Sequence, residues 1–341
     1  MKASRVTSLD VAKRAGVSQS AVSRAFTPGA SVAPKTIAKI QLAATELGYS
    51  PNVLARSLIT GKSKMIGFIV GYLDNQFYPE SLQKFSERLQ DRGYHILMFT
   101  ADNNPERVTK IVQELLDYQV DAIVAASVSL TTELTFLCRE AGVPIVLYNR
   151  LHEDPLISGV ASNNVAGGRM VAQHFVDIGV SRPAYIAGWQ GASTQRDREI
   201  GFRAGLAEHG LKLFARGEGN FNHPDVCQAT RAMFAQHEQG NTVPDAVFVA
   251  NDHMAFAVLD ILRYELGLRV PDDVSVAGYD DVAIASWPAY NLTSVQQAAD
   301  QMVALTVDVL FEHINNPQVK PIHKTVPGSL VVRGTTKKSE R

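Results

Sequence analysis

The chain has 341 residues, of which 45% are hydrophobic and 20% are charged, and its net charge at pH 7 is −1. This length predicts two or three domains, and the average composition excludes a disordered or low-complexity protein. Two widely separated cysteines, Cys138 and Cys227, exclude a disulfide framework and favour a reducing compartment. The sequence shows no apolar membrane span and no secretory signal, so we expect a cytoplasmic protein without a membrane anchor.

The charge is distributed unevenly along the chain. Residues 1–64 contain ten Lys or Arg against two acidic residues, whereas the remainder contains 23 bases against 32 acids. A basic segment on an acidic body is typical of a module that binds a polyanion. A basic tail that serves only solubility is the alternative, and the pattern of residues inside the segment decides between the two.

Three short helices are predicted within the basic segment. Their starts are expected after Thr7, after Ser18 and at Pro34, and their ends near Gly16, Phe26 and Gly48. Thr7 and Asp10 match the capping-box pattern, in which each side chain bonds the backbone of the other. Two helices joined by a short glycine-containing turn are typical of a helix-turn-helix, whose second helix enters the major groove of DNA.

The outward face of the second helix carries residues suited to reading bases. Four polar side chains are predicted there: Gln19, Ser20, Ser23 and Arg24. Gln pairs with adenine, Arg with guanine, and Ser with a base edge or a phosphate, while Thr7 and Ser18 at the helix starts suit phosphates. A small helical bundle with a merely solvated polar face is the alternative, but the positive charge favours DNA binding.

Beyond residue 64, apolar runs alternate with amphipathic stretches. Strands are predicted at 66–72, 95–100, 122–126, 145–148, 184–187, 246–250 and 274–277, and helices at 80–92, 106–118, 165–178, 198–209 and 253–266. Repeated strand and helix units with continuous apolar strands predict parallel sheets covered on both faces. About 270 residues exceed one usual sheet, so we expect two α/β lobes.

Polar residues close several of the predicted strands, where doubly wound sheets bind ligands. The candidate segments are 74–78, 149–150, 251–252 and 279–281, together with Arg198 at the start of a predicted helix. Acid and amide groups beside an arginine can bind neighbouring hydroxyls, and an aromatic ring such as Phe221 can cover the apolar face of a sugar. The same acids and amides are also common as helix caps and turn residues.

Several motifs follow one another in a fixed order. They are Asp10-Val11-Ala12-x-x-Ala15-Gly16-Val17-Ser18-x-x-Ala21-Val22-Ser23-Arg24, Leu47-Gly48-Tyr49-x-Pro51-Asn52-x-x-Ala55-Arg56-x-Leu58, Asn75-x-Phe77-Tyr78, Arg198-x-x-Gly201-Phe202, Ala250-Asn251-Asp252 and Gly278-Tyr279-Asp280-Asp281. Together they resemble the lactose-repressor (LacI/GalR) family of bacterial transcription regulators.

The resemblance implies an all-α helix-turn-helix headpiece followed by a two-lobed, periplasmic-binding-protein-like α/β domain with doubly wound parallel sheets. The expected parts are a DNA-binding domain at 1–49, a hinge helix and linker at 50–63, an effector-binding and dimerisation domain at 64–334 and a polar tail at 335–341. Crossings near 162, 292 and 325 would give one lobe of about 64–162 and 293–325 and a second of about 163–292 and 326–334.

The resemblance also assigns site residues. DNA contacts are expected from Thr7, Ser18, Gln19, Ser20, Ala21, Ser23, Arg24, Asn52, Ala55 and Leu58. Effector contacts are expected from Asn75, Phe77, Tyr78, Asn149, Arg198, Phe221, Asn251, Asp280 and Gln297. Leu58 would act as an apolar wedge in the minor groove. Asp252 and Asp281 fit a structural role as well as a contacting one, and Trp189 is expected in the core rather than against the ligand.

The resulting hypothesis is a dimeric regulator, favoured as a repressor, that binds a pseudo-palindromic operator and a sugar or sugar derivative. The carboxyl end is short and lacks apolar heptads, which predicts a dimer rather than a coiled-coil tetramer. No metal, cofactor or enzymatic activity is expected. The alternatives are a transporter's binding protein, which would not need the basic head, and an enzyme on a doubly wound fold. Arg198 could face a hydroxyl, a carboxylate or a phosphate, so neutral sugars, sugar acids and nucleobases are all candidate effectors.

Overall fold

The computed structural model describes residues 6–26, 31–50, 61–101, 104–128, 130–151, 156–235 and 242–338. The chain divides into two compact units, Met1–Ser63 and Lys64–Arg341. The expected hinge contacts Asn52, Ala55 and Leu58 lie outside the described residues. Within the described ranges, none of the helices is both long and apolar enough to cross a membrane.

The described residues of the first unit form three short helices, as the sequence predicts. They are α1 (Ser8–Ala15), α2 (Gln19–Ala25) and α3 (Pro34–Leu47). Gly16 and Gly48 end α1 and α3 in the left-handed conformation, with φ of 66° and 64°, which glycine adopts without strain. Val11, Val22 and Ile40 are fully buried, one from each helix, and form the centre of a small apolar core.

The second unit alternates strands and helices. The strands are β1 (Met65–Val70), β2 (His95–Thr100), β3 (Ala122–Ala126), β4 (Ile145–Tyr148), β5 (Ser158–Ser162), β6 (Pro183–Ala187), β7 (Ala215–Glu218), β8 (Ala246–Val249), β9 (Ser275–Asp280), β10 (Thr293–Gln296), β11 (His323–Val326) and β12 (Ser329–Val331). The α-helices are α4 (Phe77–Gln90), α5 (Pro105–Asp117), α6 (Thr132–Glu140), α7 (Asn164–Asp177), α8 (Ser193–Glu208), α9 (His223–Phe234), α10 (Asp252–Asp260) and α11 (Ala299–Asn315).

Two six-stranded sheets organise these elements into two lobes. The first has the order β11-β5-β4-β3-β1-β2, and the second β12-β10-β9-β8-β6-β7. All pairings are parallel except that of β12 with β10. Along β1, Phe68 and Ile69 belong to separate apolar clusters, because successive side chains of a strand point to opposite faces. Both faces of the first sheet are therefore covered.

The chain passes between the lobes three times. The first passage follows Ser162 at the end of β5, close to the predicted crossing. The second follows Gln296, because β10 pairs with β9 and so belongs to the second sheet. The expected boundary at 292, which placed residues from 293 in the first lobe, was therefore wrong by one short strand. The third lies between β11, which ends at Val326, and β12.

The carboxyl-terminal boundary also differs from the prediction. Thr335 and Thr336, expected to begin a polar tail, are buried in the second lobe. The Thr335 carbonyl accepts the Val276 N–H at 2.7 Å, and its hydroxyl accepts the Thr293 N–H at 2.8 Å. Thr336 Oγ1 lies 2.9 Å from His174 Nε2. These residues satisfy the backbone of β9 and β10, so the second lobe extends at least to Thr336.

Candidate functional site

The exposed face of α2 carries the residues predicted to read bases. Gln19, Ser20, Ser23 and Arg24 are all exposed. Gln19 Nε2 donates to Ser8 Oγ at 2.9 Å, and Arg24 Nε donates to the Ser20 carbonyl at 3.4 Å. Because these groups are open to solvent, exchanging such hydrogen bonds for others costs little. The side chains of α2 are therefore accessible to a partner from outside.

Thr7 and Ser18 cap the two helices of the helix-turn-helix. The Thr7 N–H and hydroxyl donate to Asp10 Oδ2 at 2.9 and 2.7 Å, and these bonds lower the pKa of Asp10. Ser18 Oγ accepts the Ala21 N–H at 3.2 Å and lies 3.0 Å from Ser20 Oγ. First-turn N–H groups of a helix have no partner within it, so the start of α2 suits a phosphate.

In the second unit, polar residues at the carboxyl ends of strands from both sheets meet. Asn75 follows β1, Asp280 ends β9 and Gln297 follows β10, and all three are at most 5% exposed. Asn75 Nδ2 donates to Asp280 Oδ2 at 2.9 Å, and Gln297 Nε2 donates to Asp280 Oδ1 at 2.7 Å. These bonds join the two lobes, and we call the surrounding cluster the inter-lobe site.

The sequence predicts Arg198 at the start of a helix, whereas the structure places it within α8. Its Nε donates to Asn164 Oδ1 at 2.9 Å, Nη1 donates to the Ala250 carbonyl, and Nη2 lies 3.5 Å from Asp280 Oδ1. The guanidinium carbon is 3.6 Å from the centroid of the Tyr279 ring. Every nitrogen of this buried guanidinium is thus engaged, and Arg198 holds Asp280 in place.

Opposing effects act on the Asp280 carboxyl. Burial raises its pKa, whereas Arg198 and the amides of Asn75 and Gln297 lower it. Three donors surround the two carboxylate oxygens. This arrangement stabilises a buried charge that would be very costly alone.

Asp252 and Asp281 serve the second lobe itself. Asp252 Oδ1 accepts the Ser294 hydroxyl at 2.6 Å and Oδ2 accepts the Val282 N–H at 3.0 Å. Burial, with the nearby Asp280 charge, raises the pKa of Asp252. Asp281 pairs with Arg333 Nη1 at 2.6 Å. Of the two roles left open by the sequence, these contacts favour the structural one.

Three buried amides of the inter-lobe site have one polar atom each without a hydrogen-bond partner among the described residues. Asn149 Nδ2 donates to the Tyr78 hydroxyl at 3.3 Å, which leaves Oδ1. Asn251 Oδ1 caps α10 by accepting the Met254 N–H at 3.0 Å, which leaves Nδ2. Gln297 retains Oε1. A buried unsatisfied group costs about 1–3 kcal/mol, so these atoms are suited to binding a polar ligand.

Aromatic rings flank the cluster. Phe221 stacks on Tyr72 of the other lobe with ring centroids 6.2 Å apart and planes at 24°. Its ring fills the space beside Gly188, where an added Cβ would lie 2.1 Å from it, so any larger residue at this position would displace the ring. Phe77, an expected ligand contact, is 3% exposed and stacks on Tyr148 in the core of the first lobe. Phe77 therefore supports the site from the core of the first lobe.

Unfavourable backbone conformations concentrate at the same strand ends. Ser127, Asn149, Phe221 and Asp280 have φ of 58°, 61°, 61° and 123°. Such conformations are uncommon for residues other than glycine and persist only where the surroundings enforce them. They are typical of binding and catalytic sites, and although positive φ also occurs elsewhere in the chain, these four residues support the assignment of the inter-lobe site.

The structure gives a place in the site to two residues that were not among the expected effector contacts, Arg150 of the candidate segment 149–150 and Trp189. Arg150, which directly follows Asn149, donates from Nη2 to Ser127 Oγ at 3.1 Å. Trp189, expected in the core, is half-buried, and its ring centroid is 5.6 Å from the Arg150 guanidinium carbon. Arg150 stood at a recognised strand end, so that signal was available. The nearness of Trp189 depends on the two lobes meeting and has no local signature.

Comparison with known proteins gives consistent results for both units. Residues 7–52 match bacterial regulatory proteins of the lacI family, and residues 172–336 match a periplasmic binding protein-like domain. The ribose operon repressor of Escherichia coli strain K12 is 31% identical over 336 residues, covering 96% of this chain and 99% of that protein. The chain belongs to the lacI family. The HTH-type transcriptional repressor PurR of Photobacterium profundum is 28% identical over 331 residues, covering 96% and 98%.

Solved structures of this lacI-family fold agree. The lac repressor dimer bound to operator and the anti-inducer ONPF has a TM-score of 0.86 at 28% identity, covering 98% of this chain and all of that one. The complex of the transcriptional regulator CelR with cellobiose has a TM-score of 0.72 at 28% identity, covering 97% and 100%. The predicted class is confirmed: the chain is a transcription regulator with a helix-turn-helix domain and a periplasmic-binding-protein-like domain.

Proposed function

We propose that this lacI-family regulator binds a pseudo-palindromic operator as a homodimer and represses transcription in the cytoplasm, under the control of a small effector held in the inter-lobe site. The observation that carries the DNA-binding part is the exposed face of α2, with Gln19, Ser20 and Arg24 open to solvent in a compact basic unit. The lac repressor structure that resembles this chain is itself a dimer bound to operator.

The chemistry of α2 supports base recognition. Gln19 can form two hydrogen bonds with adenine, and Arg24 two with guanine, in the major groove. Ser18 and the helix start hold the phosphate backbone and so set the position of α2. A dimer presents two such helices, and its two-fold symmetry requires two half-sites of related sequence.

The chemistry of the inter-lobe site supports a small hydroxylated ligand. Asn149 and Gln297 offer acceptors and Asn251 a donor, while Arg198 and Asp280 form the centre. Sugars and their derivatives carry neighbouring hydroxyls that donate and accept at once. A ligand that binds both lobes favours one arrangement of them over another, which shifts operator affinity by the difference in its affinity for the two states. The proposed role is binding without turnover.

The hinge and linker segment 50–63, at the end of the first unit, is proposed to contact DNA directly. Asn52, Ala55 and Leu58 are proposed as hinge contacts, with Leu58 inserted between base pairs of the minor groove. Leu58→Ala should weaken operator binding more than binding to unrelated DNA, measured by fluorescence anisotropy on both duplexes. Equal losses on the two DNAs would remove the wedge role.

Selection of bound DNA from a randomised pool tests the proposed DNA recognition. With purified full-length protein at about 0.1 M salt, where non-specific phosphate attraction is weakened, we expect a palindrome to be enriched. Enrichment of a single, non-repeated half-site, or none with and without added cell metabolites, would contradict the proposal. Sedimentation of the free protein should give a dimer, and a tetramer would contradict that part.

A further inference from the structure

A buried positive charge in the inter-lobe site has no carboxylate partner among the residues that the structure describes. Arg150 is 5% exposed, and its Nη2 donates to the neutral Ser127 hydroxyl. Its Nε and Nη1 groups have no hydrogen-bond partner within the described residues. Arg198, the other arginine of the site, has every nitrogen engaged and a carboxylate beside it. The two arginines therefore differ in pairing: Arg198 lies beside a carboxylate, whereas Arg150 has none beside it among the described residues.

The nearby carboxylate does not compensate Arg150. Asp280 already receives hydrogen bonds from Asn75 and Gln297 and pairs with Arg198. The described groups that face Arg150 are the Ser127 hydroxyl, the Trp189 ring and the phenols of Tyr72 and Tyr78, and none of them is a carboxylate. Burial lowers the pKa of the Arg150 guanidinium, but arginine keeps its proton in proteins. An excess positive charge thus remains in the described part of the site.

The place of Arg150 in the fold is that of a ligand contact. It follows β4, and Ser127 follows β3, at the carboxyl ends where parallel sheets bind ligands. Its guanidinium faces Trp189, which follows β6 in the opposite lobe. The adjacent residue, Asn149, has an unpartnered acceptor. A cation without a carboxylate partner and an amide oxygen without a donor, both judged over the described residues, thus lie side by side in the same cleft.

We propose that the effector is a hydroxylated acid, a sugar acid or sugar phosphate, whose anionic group binds one edge of the Arg150 guanidinium, either Nε with Nη2 or Nη1 with Nη2. The inference rests on the proposed function of the inter-lobe site and narrows its ligand from hydroxylated molecules in general to acidic ones. The planar guanidinium presents a pair of parallel N–H groups on each of two edges, Nε with Nη2 and Nη1 with Nη2, and such a pair matches two oxygens of a carboxylate or phosphate. Ser127 accepts from one of the two Nη2 hydrogens, so one complete pair on Arg150 has no partner among the described residues. The unpartnered amide atoms of Asn149, Asn251 and Gln297 bind the hydroxyls.

The ligand-free protein gives the first test. An uncompensated buried charge is destabilising, so Arg150→Met should raise the melting temperature of the full chain measured without ligand. The matched control is Arg139→Met, which removes an exposed arginine from α6 of the same lobe and should change it little. A lower melting temperature for Arg150→Met, with Arg139→Met unchanged, would show that Arg150 is structural and overturn the proposal.

The second test measures binding to the full-length protein by calorimetry, using gluconate, glucuronate, glucose 6-phosphate and ribose 5-phosphate beside neutral glucose and ribose. We expect at least one acid to bind more tightly than its neutral counterpart. Arg150→Gln should weaken that binding by about 10- to 100-fold, and Arg150→Lys by less. The carboxylate and phosphate members show which anion is preferred. Acids that bind no better than the neutral sugars, or an unchanged affinity in Arg150→Gln, would overturn the proposal.

The two proposals fail in different ways. If a neutral sugar alone binds and changes operator affinity, the acidic ligand is wrong and the regulatory function stands. If acids bind through Arg150 but leave the affinity for the selected palindrome unchanged, the ligand class stands and the control of DNA binding fails.

Discussion

The two polar surfaces of this protein are built in opposite ways. On α2, Gln19 and Arg24 are exposed and bonded to residues nearby in the chain. In the inter-lobe site, Asn75 and Asp280 are buried and joined across 205 residues of sequence. Exposed groups exchange water for a partner at little cost, whereas buried groups depend on the fold to supply their partners.

The difference shows what each surface can recognise. The α2 face meets a large partner from outside, and its preference lies in side chains that the helix presents in a row. The inter-lobe site is proposed to surround a small molecule, and its preference would then lie in polar atoms that have no partner among the described residues. Changes to the first should affect DNA binding alone, while changes to the second should affect stability, ligand binding and regulation together.

Deletion of residues 1–61, the DNA-binding domain with its hinge, gives the largest expected effect on operator binding. A chain of residues 62–341 retains the whole second unit but lacks α1, α2 and α3. It should lose operator binding completely, measured by anisotropy with labelled operator DNA. Circular dichroism and calorimetric binding of an identified effector serve as controls for an intact body. Specific operator binding by this shortened chain would show that the second unit, and not the helix-turn-helix domain, recognises the DNA sequence.

Removing Arg198 should be the most damaging single substitution. Arg198→Leu leaves Asp280 buried without its cation, which typically costs about 3–5 kcal/mol. Urea unfolding of the full chain measures the loss. The control, Arg231→Leu, breaks an exposed pair with Glu265 and should cost below about 1 kcal/mol. Similar losses in the two variants would contradict the contrast between buried and exposed pairs.

Gln19→Ala tests the exposed surface. Loss of a bidentate contact with adenine should weaken operator binding by about 1–3 kcal/mol and leave binding to unrelated DNA and protein stability nearly unchanged. Gln41→Ala, on an exposed position of α3, is the matched control. If both variants bind the operator as the unsubstituted protein does, Gln19 makes no base contact.

Thr7→Ala should have the smallest of these effects. It removes the capping box of α1 and should lower the stability of the head by about 1 kcal/mol, measured by calorimetry of the full chain. Because the Thr7 bonds lower the pKa of Asp10, their stabilisation is present above the ordinary pKa of aspartate and is lost as the pH falls through the lowered value. An equal difference between the two proteins at neutral and strongly acidic pH would contradict the role of Asp10.

The contrast between the surfaces also explains what the sequence could predict. The three helices of the head follow from caps such as Thr7 and Gly16, which act within a few residues. The short strands β5, β7, β10, β11 and β12 were not predicted, because pairing with distant strands, rather than local pattern, determines them. The sequence analysis placed Thr335 in a polar tail because its hydrogen-bond partners, Val276 and Thr293, lie far away in sequence.

The residues of the inter-lobe site also fall into two groups, those indicated by the local sequence and those that depend on distant contacts. Asn149, Asn251 and Asp280 were found because they directly follow apolar strands. The buried state of Arg150 and the contact of Tyr72 with Phe221 depend on how the two lobes meet. Residue type and spacing indicate where a ligand binds, whereas the unpaired atoms that select it become visible in the folded chain.

The most direct test of the central claim is whether the inter-lobe site controls the head. Operator affinity of the full-length protein is measured by anisotropy at fixed salt, with and without fractions of a small-molecule cell extract, beside Gln297→Leu with its fold verified by circular dichroism. The account predicts that at least one fraction changes the dissociation constant of the unsubstituted protein by about 5- to 150-fold and that of Gln297→Leu much less. No change with any fraction, or the same change in both proteins, would contradict it.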